Sequence, residues 1–339
     1  MTQLFRAAKG GRIDRTKPIS FQFNGKRYQG YQGDTLASAL IANGIHLVGR
    51  SFKYHRPRGI MGSGVEEPNA MVQITPNSNR TDPNQRATVV ELYDDLSADS
   101  QNCWPSVEFD IGAVNNVLMP FFPAGFYYKT FMFPATAWEK YEHFIRKAAG
   151  LGVSPTEEDP DRYEHIHAHC DVLVVGAGPA GLMAARAAAA TGARVILADE
   201  QHEMGGSLLA EDVDGIRVDG SAAGDWATGM ATVLAGHGDV TLLPRTTAFG
   251  YFDDNWFGLL ERVTDHLGRE AVPGQVRARM WRVRARQVVL ATGSHERPLV
   301  FDGNDRPGVM LASAARTYIN RYGALAGQRP VVFTNNDSA

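Results

Sequence analysis

The sequence predicts an α/β protein built around a dinucleotide-binding βαβ unit, with a smaller α+β module before it. Three observations predict this. An apolar strand over 171–175 runs into a three-glycine turn and an alanine-rich helix, and a second strand over 193–198 ends in an acidic pair. Much later, the apolar strand over 287–290 leads into an Ala-Thr-Gly turn. The 339 residues, 44% of them hydrophobic, are enough for about two or three domains with buried cores.

The first element is a β-hairpin. Residues 18–33 alternate apolar and polar side chains and turn at Asn24-Gly25, a pair that favours a tight hairpin turn. Asp34 is then expected to cap a short helix with Leu36 and Leu40 on one side, and Gly44 to end it. We place this small α+β domain at residues 1–95.

Residues 96–169 are interpreted as an extended, packed connector, because prolines repeatedly break the periodicity. The segments 121–129 and 131–134 are too aromatic for a free linker. They are expected to be buried either on the chain's own domains or in a subunit interface, where aromatic residues are enriched. Trp138 to Ala149 is predicted to form an amphipathic helix.

The glycine turn predicts how a nucleotide would be held. Gly176 permits the tight turn, Gly178 lets the backbone approach a pyrophosphate, and Gly181 lets the helix lie close to the strand. Pro179 and Ala180 open the helix, whose N–H groups and dipole would face the phosphates.

The strand that follows leads to the carboxylate expected to bind the ribose. Asp199 lies about twenty residues past the turn, where a carboxylate accepts the ribose hydroxyls and repels a 2′-phosphate, which favours NAD or FAD over NADP. Glu200 is its acidic neighbour. The third strand, 239–243, leads to a segment expected to meet the adenine. The further candidate nucleotide contacts are Gly205, Gly206, Ser207, Thr247, Ala248, Ala291, Thr292 and Gly293.

The order and spacing of the three glycine signatures resemble those of the two-dinucleotide-domain flavoproteins. This resemblance implies a Rossmann-like FAD/NAD(P)-binding domain, which we place at residues 170–325. Residues 256–290 are expected to form a β-meander, and the segment 329–334 is expected to be the first strand of a second, truncated dinucleotide-type domain at 326–339.

Several functions are not expected from the composition. A net charge of −3 argues against nucleic-acid binding, and no apolar run reaches membrane-spanning length, so we expect a cytoplasmic protein. No catalytic constellation is visible. The trio His165, His167 and His169 is interpreted as part of a solvated turn rather than a metal site, and the row Arg282, Arg284 and Arg286 as a solvated sheet face.

The N-terminal module resembles the plant-ferredoxin-like domain fused to several amine-oxidising flavoenzymes, over residues 15–95, on the motif Arg50-Ser-Phe-Lys-Tyr-His-Arg-Pro-Arg-Gly59. The basic side chains of that motif are expected either to lie in a solvated loop or to hold an anion. In cluster-bearing relatives, cysteines would fall in the loop 61–69, which has none here. Cys103 and Cys170 are the only cysteines, so we expect the 2Fe-2S-ferredoxin-like fold without its cluster.

Several longer segments resemble the α subunits of heterotetrameric sarcosine oxidases: 101–106, 124–131, 145–152, 159–163, 316–323 and 331–337. This resemblance implies an N-terminal portion of such a chain, with NAD bound here, FAD on a partner subunit, FMN at an interface and tetrahydrofolate in a missing C-terminal region. It also implies β, γ and δ partner subunits and the oxidation of sarcosine to glycine, formaldehyde and hydrogen peroxide, or to methylene-tetrahydrofolate when folate is present. The chain alone is expected to be inactive.

Two other functions fit the same residues. The chain could be the large subunit of N-methylglutamate dehydrogenase or of another opine- or glycine-oxidising flavoenzyme complex. It could instead be a non-catalytic module whose NAD serves only to assemble a flavin-bearing partner.

Overall fold

A computed structural model describes residues 3–77, 80–121, 125, 131, 133–148, 150, 152–212 and 214–335. Within these residues, no helix is both long and apolar enough to cross a membrane.

The N-terminal module is organised around a five-stranded sheet with the strand order β2-β1-β7-β5-β6. The predicted hairpin is confirmed, since β1 and β2 pair antiparallel up to Phe23 and Lys26 on either side of Asn24-Gly25. Its elements are β1 (Asp14–Phe23), β2 (Lys26–Gln32), α1 (Leu36–Ala42), β3 (Gly49–Arg50), β4 (Pro57–Arg58), β5 (Met71–Asn77), β6 (Arg80–Arg86) and β7 (Ser97–Ser100). Because β7 lies in the middle of the sheet, the module extends past the boundary expected at residue 95.

Helix α1 is capped by Thr35, whereas the sequence had indicated Asp34. The Thr35 hydroxyl accepts from the Ser38 N–H, and the Ser38 hydroxyl accepts from the Thr35 N–H, which makes a capping box. The Asp34 carboxylate is buried and accepts from Arg6 at 2.6 Å and from the Tyr31 N–H at 2.9 Å. A carboxylate occupied by a buried guanidinium is not available to cap the helix.

The connector contains short helical segments. They are α2 (Val114–Val117), α3 (Trp138–Ala148) and the 3₁₀ turns 111–113, 119–121 and 135–137. The amphipathic helix predicted to start at Trp138 is confirmed. Two aromatic side chains of the connector are mostly exposed, Phe121 at 72% and Phe133 at 86%. Most of the aromatic segment 121–134 lies outside the described residues.

The nucleotide-type domain is built on a six-stranded sheet with the order β12-β9-β8-β15-β14-β13. Strands β12, β9, β8 and β15 are parallel to one another. Strands β14 and β13 extend the sheet with antiparallel pairing. The elements are β8 (Arg162–Val175), α4 (Pro179–Ala189), β9 (Val195–Ala198), β10 (Arg217–Val218), β11 (Ser221–Ala222), α5 (Ala223–Ala235), β12 (Val240–Leu243), β13 (Thr246–Phe252), β14 (Trp256–Arg262), β15 (Val276–Leu290), α6 (Ala312–Tyr322) and the 3₁₀ segments 206–210, 253–255 and 265–270.

Both faces of the parallel strands are buried. On one face Val174 and Leu197 pack with Leu182 of α4 and Leu234 of α5, and on the other Leu173 packs in a separate core. This double burial explains the continuous apolar run before the glycine turn.

The three alternating histidines lie within strand β8 and not in a loop before it, because β8 begins at Arg162. His165, His167 and His169 are all exposed. The described residues contain no group of His, Cys, Asp or Glu arranged to hold a metal ion.

The last helix crosses back to the N-terminal module. Tyr318 of α6 is fully buried in the module's core, and its hydroxyl donates to the Gly62 carbonyl oxygen at 2.8 Å. Residues 312–322, which we had assigned to the nucleotide domain, therefore pack as part of the first core. The segment 329–334 is exposed and is not part of a strand in the part of the chain that the structure describes. Its assignment to the start of a second dinucleotide-type domain stays a prediction.

Candidate nucleotide site

The first and third glycine signatures lie directly across one another. Gly176 has a φ of +97°, and a Cβ there would overlap the carbonyl oxygen of Ala291. The Ala291 N–H donates to the Val175 carbonyl oxygen at 2.8 Å, so the Ala-Thr-Gly turn begins where β8 ends. A Cβ on Gly181 would overlap the Gly176 carbonyl oxygen. These glycines are required by backbone packing, as the sequence predicted.

The second signature packs against the first. Gly206 has a φ of +55°, and a Cβ on it would lie 2.8 Å from the Gly178 Cα. The Gly205 N–H donates to the Ala177 carbonyl oxygen at 2.9 Å. Around Gly178 itself, the nearest atom to an added Cβ is the Gly206 Cα at 4.0 Å. The three signatures, at residues 176–181, 205–206 and 291–293, thus form one cradle, and an added Cβ at Gly178 would meet no side chain within 4 Å.

Helix α4 begins at this cradle. Gly178 is its N-cap, no side chain caps its first turn, and Pro179 occupies the first turn. Its leading N–H groups and the positive end of its dipole are therefore available to an anion. A glycine cradle and an uncapped helix start together fit the pyrophosphate of a dinucleotide.

Asp199 lies beside this cradle and braces it. One carboxylate oxygen accepts from the Ala177 N–H at 2.6 Å, and the other accepts from the Gln201 N–H at 2.8 Å. Burial raises the pKa of Asp199. Each oxygen keeps a lone pair for a ribose hydroxyl. The sequence indicated the ribose role, but not this second role in holding the glycine turn.

Glu200 faces a different part of the molecule. It lines a cavity together with Ser63 and Gly64 of the N-terminal module, and it lies close to Glu66. Burial, followed by the charges of Asp199 and Glu66, raises the pKa of Glu200 to about 7. The acidic pair is therefore divided, with Asp199 at the cradle and Glu200 at the domain boundary.

The remaining candidates lie around the same edge of the sheet. The Thr246 N–H donates to the Asp199 carbonyl oxygen at 2.7 Å, and Thr247 and Ala248 follow Thr246 in β13. Ser207 follows Gly206 at the start of a 3₁₀ turn. Gly293 has a φ of +74°, and an added Cβ would meet nothing within 4 Å.

The N-terminal module does not offer the ligands of an iron–sulfur cluster. The sequence holds two cysteines, and burial raises the pKa of each thiol to about 11, so both stay protonated. An iron–sulfur cluster requires thiolates, commonly four.

The loop 61–69 is instead organised by two glutamates that sequence reasoning did not single out. The Glu67 carboxylate, 1% exposed, accepts from four backbone N–H groups at 2.6 to 3.0 Å, those of residues 61, 62, 69 and 70. Glu66 accepts from the N–H groups of Ser63 and Gly64 at 2.6 and 2.9 Å. Acidic residues in a loop of small residues were the only local signal.

The basic motif 50–59 is used largely inside the protein. Arg50 donates to the Val107 carbonyl oxygen at 2.8 Å, and Arg58 pairs with Asp305. His55 Nδ1 lies 2.6 Å from the buried Asp110 carboxylate. These bonds tie the motif to the connector and to the segment before α6.

Two protein families match the chain. Residues 16–103 match the family described as "2Fe-2S iron-sulfur cluster binding domain", and residues 170–329 match "Pyridine nucleotide-disulphide oxidoreductase". The predicted combination of a ferredoxin-like domain with a Rossmann-like domain is confirmed.

Among curated proteins, the chain is 56% identical to the alpha subunit of sarcosine oxidase from Rhizobium meliloti (strain 1021), over 98% of this chain and 33% of that protein. It is 40% identical to the alpha subunit of the sarcosine oxidase from Corynebacterium sp. (strain U-96), over 97% of this chain and 29% of that protein. An opine oxidase subunit from Agrobacterium tumefaciens (strain Ach5) is 34% identical over 46% of this chain and 30% of that protein. The chain spans about a third of the length of the two sarcosine oxidase subunits.

Among solved structures, L-proline dehydrogenase from P. horikoshii superimposes with a TM-score of 0.62 at 20% identity, covering 97% of this chain and 50% of that one. At this identity the match shows a shared fold, and it extends over both the N-terminal module and the nucleotide-type domain.

Proposed function

Because the chain is similar over almost its whole length to a portion of sarcosine oxidase α subunits, we propose that it is the NAD-binding portion of such a subunit. The complex would oxidise sarcosine with oxygen and water to glycine, formaldehyde and hydrogen peroxide, or form methylene-tetrahydrofolate when folate is present. The relatives are subunits of oxidoreductases, and the reaction of the whole complex is proposed by similarity to them.

The glycine cradle carries the NAD proposal. Gly176, Gly181 and Gly206 let the turns pack closely, and Gly178 leaves its backbone open to a pyrophosphate, with Pro179 and Ala180 at the start of α4. Asp199 would accept the ribose hydroxyls, and its negative charge would disfavour a 2′-phosphate. The further proposed contacts are Glu200, Gly205, Ser207, Thr247, Ala248, Ala291, Thr292 and Gly293.

We assign no residue of this chain to the oxidation of the amine. A flavin would supply that chemistry when bound, by accepting a hydride from the carbon next to the amine nitrogen. We propose that FAD is held by a partner subunit, FMN at a subunit interface and tetrahydrofolate in the remainder of the α subunit. This chain would bind and orient NAD and would be inactive alone.

The partners proposed are the β, γ and δ subunits. The relatives are named as subunits, and large apolar side chains of the connector, among them Trp104 (68% exposed) and Phe133 (86%), support a subunit interface there. We also propose a cytoplasmic location, because NAD and flavins are supplied inside the cell.

The bound nucleotide tests the cofactor. The purified native complex would be denatured and the released nucleotides identified by mass, with the α subunit separated from its partners beforehand. We expect NAD in stoichiometric amount on the α subunit. Stoichiometric FAD or NADP on this subunit would contradict the assignment.

Substitution of the two carboxylates tests the site. Loss of charge-assisted hydrogen bonds in Asp199→Ala should weaken NAD binding by about 1.5 to 3 kcal/mol, tenfold or more in affinity. Glu200→Ala should cost less, because Glu200 faces the N-terminal module. Both affinities would be measured by calorimetry on the complex.

The turnover of the Asp199→Ala complex then shows whether NAD takes part in the reaction or is only bound by the chain. With flavin content matched, peroxide production from sarcosine by the Asp199→Ala complex should stay close to wild type. A large fall at saturating sarcosine, with assembly intact, would mean that NAD takes part in the chemistry. Unchanged turnover would also fit the alternative in which NAD serves only assembly.

A second substrate class is favoured by the similarity to an opine oxidase over 46% of the chain. The complex could then act on an opine or on N-methylglutamate. Assaying the native complex with sarcosine, N-methylglutamate and an opine in parallel decides between them, and we expect sarcosine to give the highest kcat/KM.

A further inference from the structure

The loop 199–204, between β9 and the paired glycines, is held from outside its own domain. Arg12 of the N-terminal segment donates from Nε to the Glu203 carboxylate at 2.9 Å, and its Nη2 contacts the same oxygen. Arg12 Nη2 also donates to the Thr228 hydroxyl of α5 at 3.2 Å. One side chain thus ties the first residues of the chain to the loop and to a helix of the nucleotide domain.

Arg321, near the end of α6, makes the second tie. Its side chain is 5% exposed, its Nη1 bonds the Gln201 side-chain oxygen, and its Nη2 lies 3.7 Å from the Glu203 carboxylate. The Arg321 carbonyl oxygen accepts from the Arg12 N–H at 2.6 Å. Arg12 and Arg321 are therefore bonded to each other and meet at Glu203.

A third tie holds the start of the loop. Arg262 of β14 donates to the Glu200 carbonyl oxygen at 2.9 Å and to the Val89 carbonyl oxygen of the N-terminal module at 3.0 Å. The Glu200 side chain lines a cavity together with Ser63 and Gly64 of the N-terminal module. Residues 200, 201 and 203 are each fixed by a contact that depends on the N-terminal module or on α6.

The N-terminal segment itself is attached to the end of α6 by backbone bonds. The Ala7 N–H donates to the Gly323 carbonyl oxygen at 2.9 Å, and the Leu325 N–H donates to the Phe5 carbonyl oxygen at 2.8 Å. Displacing this segment would remove Arg12 from Glu203 and would expose Arg321.

We propose that the N-terminal segment is a positioning element for the nucleotide site: Arg12, supported by Arg321, holds the loop 199–204 in the shape that binds NAD. The inference rests on the proposed NAD site, because this loop begins at Asp199 and is followed directly by Gly205 and Gly206. Arg12 and Arg321 act through the loop and are not themselves NAD contacts. Coupling between two binding events is reciprocal, so NAD must also strengthen the attachment of the N-terminal segment.

Calorimetry with NAD on the complete complex tests the positioning role. Arg12→Gln and Glu203→Gln should each lower the affinity for NAD by about twofold to fivefold, the range expected for a partly exposed ion pair. The double substitution should cost no more than the larger single one, because both remove one interaction. The charge reversal Arg12→Glu with Glu203→Arg should recover part of the affinity.

The matched control is Arg279→Gln, whose guanidinium pairs with Glu164 at 3.0 Å on the exposed sheet. The exposures of that pair, 32% and 31%, are close to the 29% and 26% of Arg12 and Glu203. Arg279→Gln should leave NAD affinity unchanged. Wild-type affinity in both Arg12→Gln and Glu203→Gln, or an equal loss in Arg279→Gln, would overturn the proposal.

Hydrogen exchange of backbone amides is a second measurement, and it would not respond to NAD if the Arg12–Glu203 ion pair were only structural. Adding NAD to the wild-type complex should slow exchange of the Ala7 and Arg12 amides, and this slowing should be lost in Glu203→Gln. If NAD binds with full affinity while these amides exchange unchanged, the inference fails and the NAD site stands. If the wild-type complex binds no NAD, the proposed function fails as well.

Discussion

Replacing Glu200 by glutamine should change how the stability of the protein depends on pH. Burial, Asp199 and Glu66 raise the pKa of Glu200 from 4.5 to about 7. A carboxyl group whose pKa is raised by folding opposes folding once it ionises, so its unfavourable effect is absent below pH 4.5 and grows as the pH rises towards 7. Glutamine keeps the size of the side chain and removes the ionisation.

The magnitude follows from the pKa change. From 4.5 to about 7, at about 1.4 kcal/mol for each change of one in pKa, the ceiling is about 3 kcal/mol, and partial solvent access lowers it to about 1 to 2 kcal/mol. Glu200→Gln should therefore unfold at nearly the same free energy as wild type at pH 4.5. At pH 8 it should be more stable by about 1 to 2 kcal/mol.

Urea denaturation of both proteins from pH 4.5 to 8 measures this difference. Glu296→Gln is a control of opposite sign, because hydrogen bonds from Ser313 and Ala312 outweigh partial burial and lower the pKa of Glu296. That substitution should destabilise by an amount that stays nearly constant from pH 8 down to about 4.5, because the lowered pKa of Glu296 lies below this range. A stability difference for Glu200→Gln that stays constant across this range would refute the reasoning.

Two further substitutions probe the cradle and the loop 61–69. Gly181→Ala should abolish NAD binding, because the new Cβ would overlap the Gly176 carbonyl oxygen; calorimetry that finds wild-type affinity would contradict this. Glu67→Ala should lower the free energy of unfolding by about 3 kcal/mol or more, because it leaves four backbone N–H groups without their acceptor. Glu67→Gln, which can keep part of these bonds, should cost less, and equal losses for the two variants in urea denaturation would argue against the hydrogen-bond explanation.

The features that were predictable from sequence are those whose cause is local. Asn24-Gly25 favours a tight hairpin turn, and Gly181 is needed because a Cβ there would overlap the Gly176 carbonyl oxygen of the same strand-turn-helix unit. The apolar run before the turn indicated a strand. These signals can be read from the sequence because they need no distant partner.

The features that sequence reasoning missed depend on distant partners. Arg12 and Glu203 are 191 residues apart, and nothing in either neighbourhood indicates the other. Aspartate often caps helices, but the Asp34 carboxylate is paired with the Arg6 guanidinium. The segment 329–334 has the composition of a strand, but a strand requires a neighbouring strand, and none of the described residues supplies one.

The loop closed by Glu67 has a consequence for how the protein is made. A loop that folds around a metal group can adopt its structure only after that group binds, and it loses this structure when oxygen or a chelator removes the metal. Here the acceptor for the loop's N–H groups is part of the chain and is present from the moment of translation. Because Glu67 holds the loop 61–69, this loop should reach its folded structure at the same rate in iron-starved and iron-replete cells, and it should tolerate oxidative conditions that bleach iron-containing proteins.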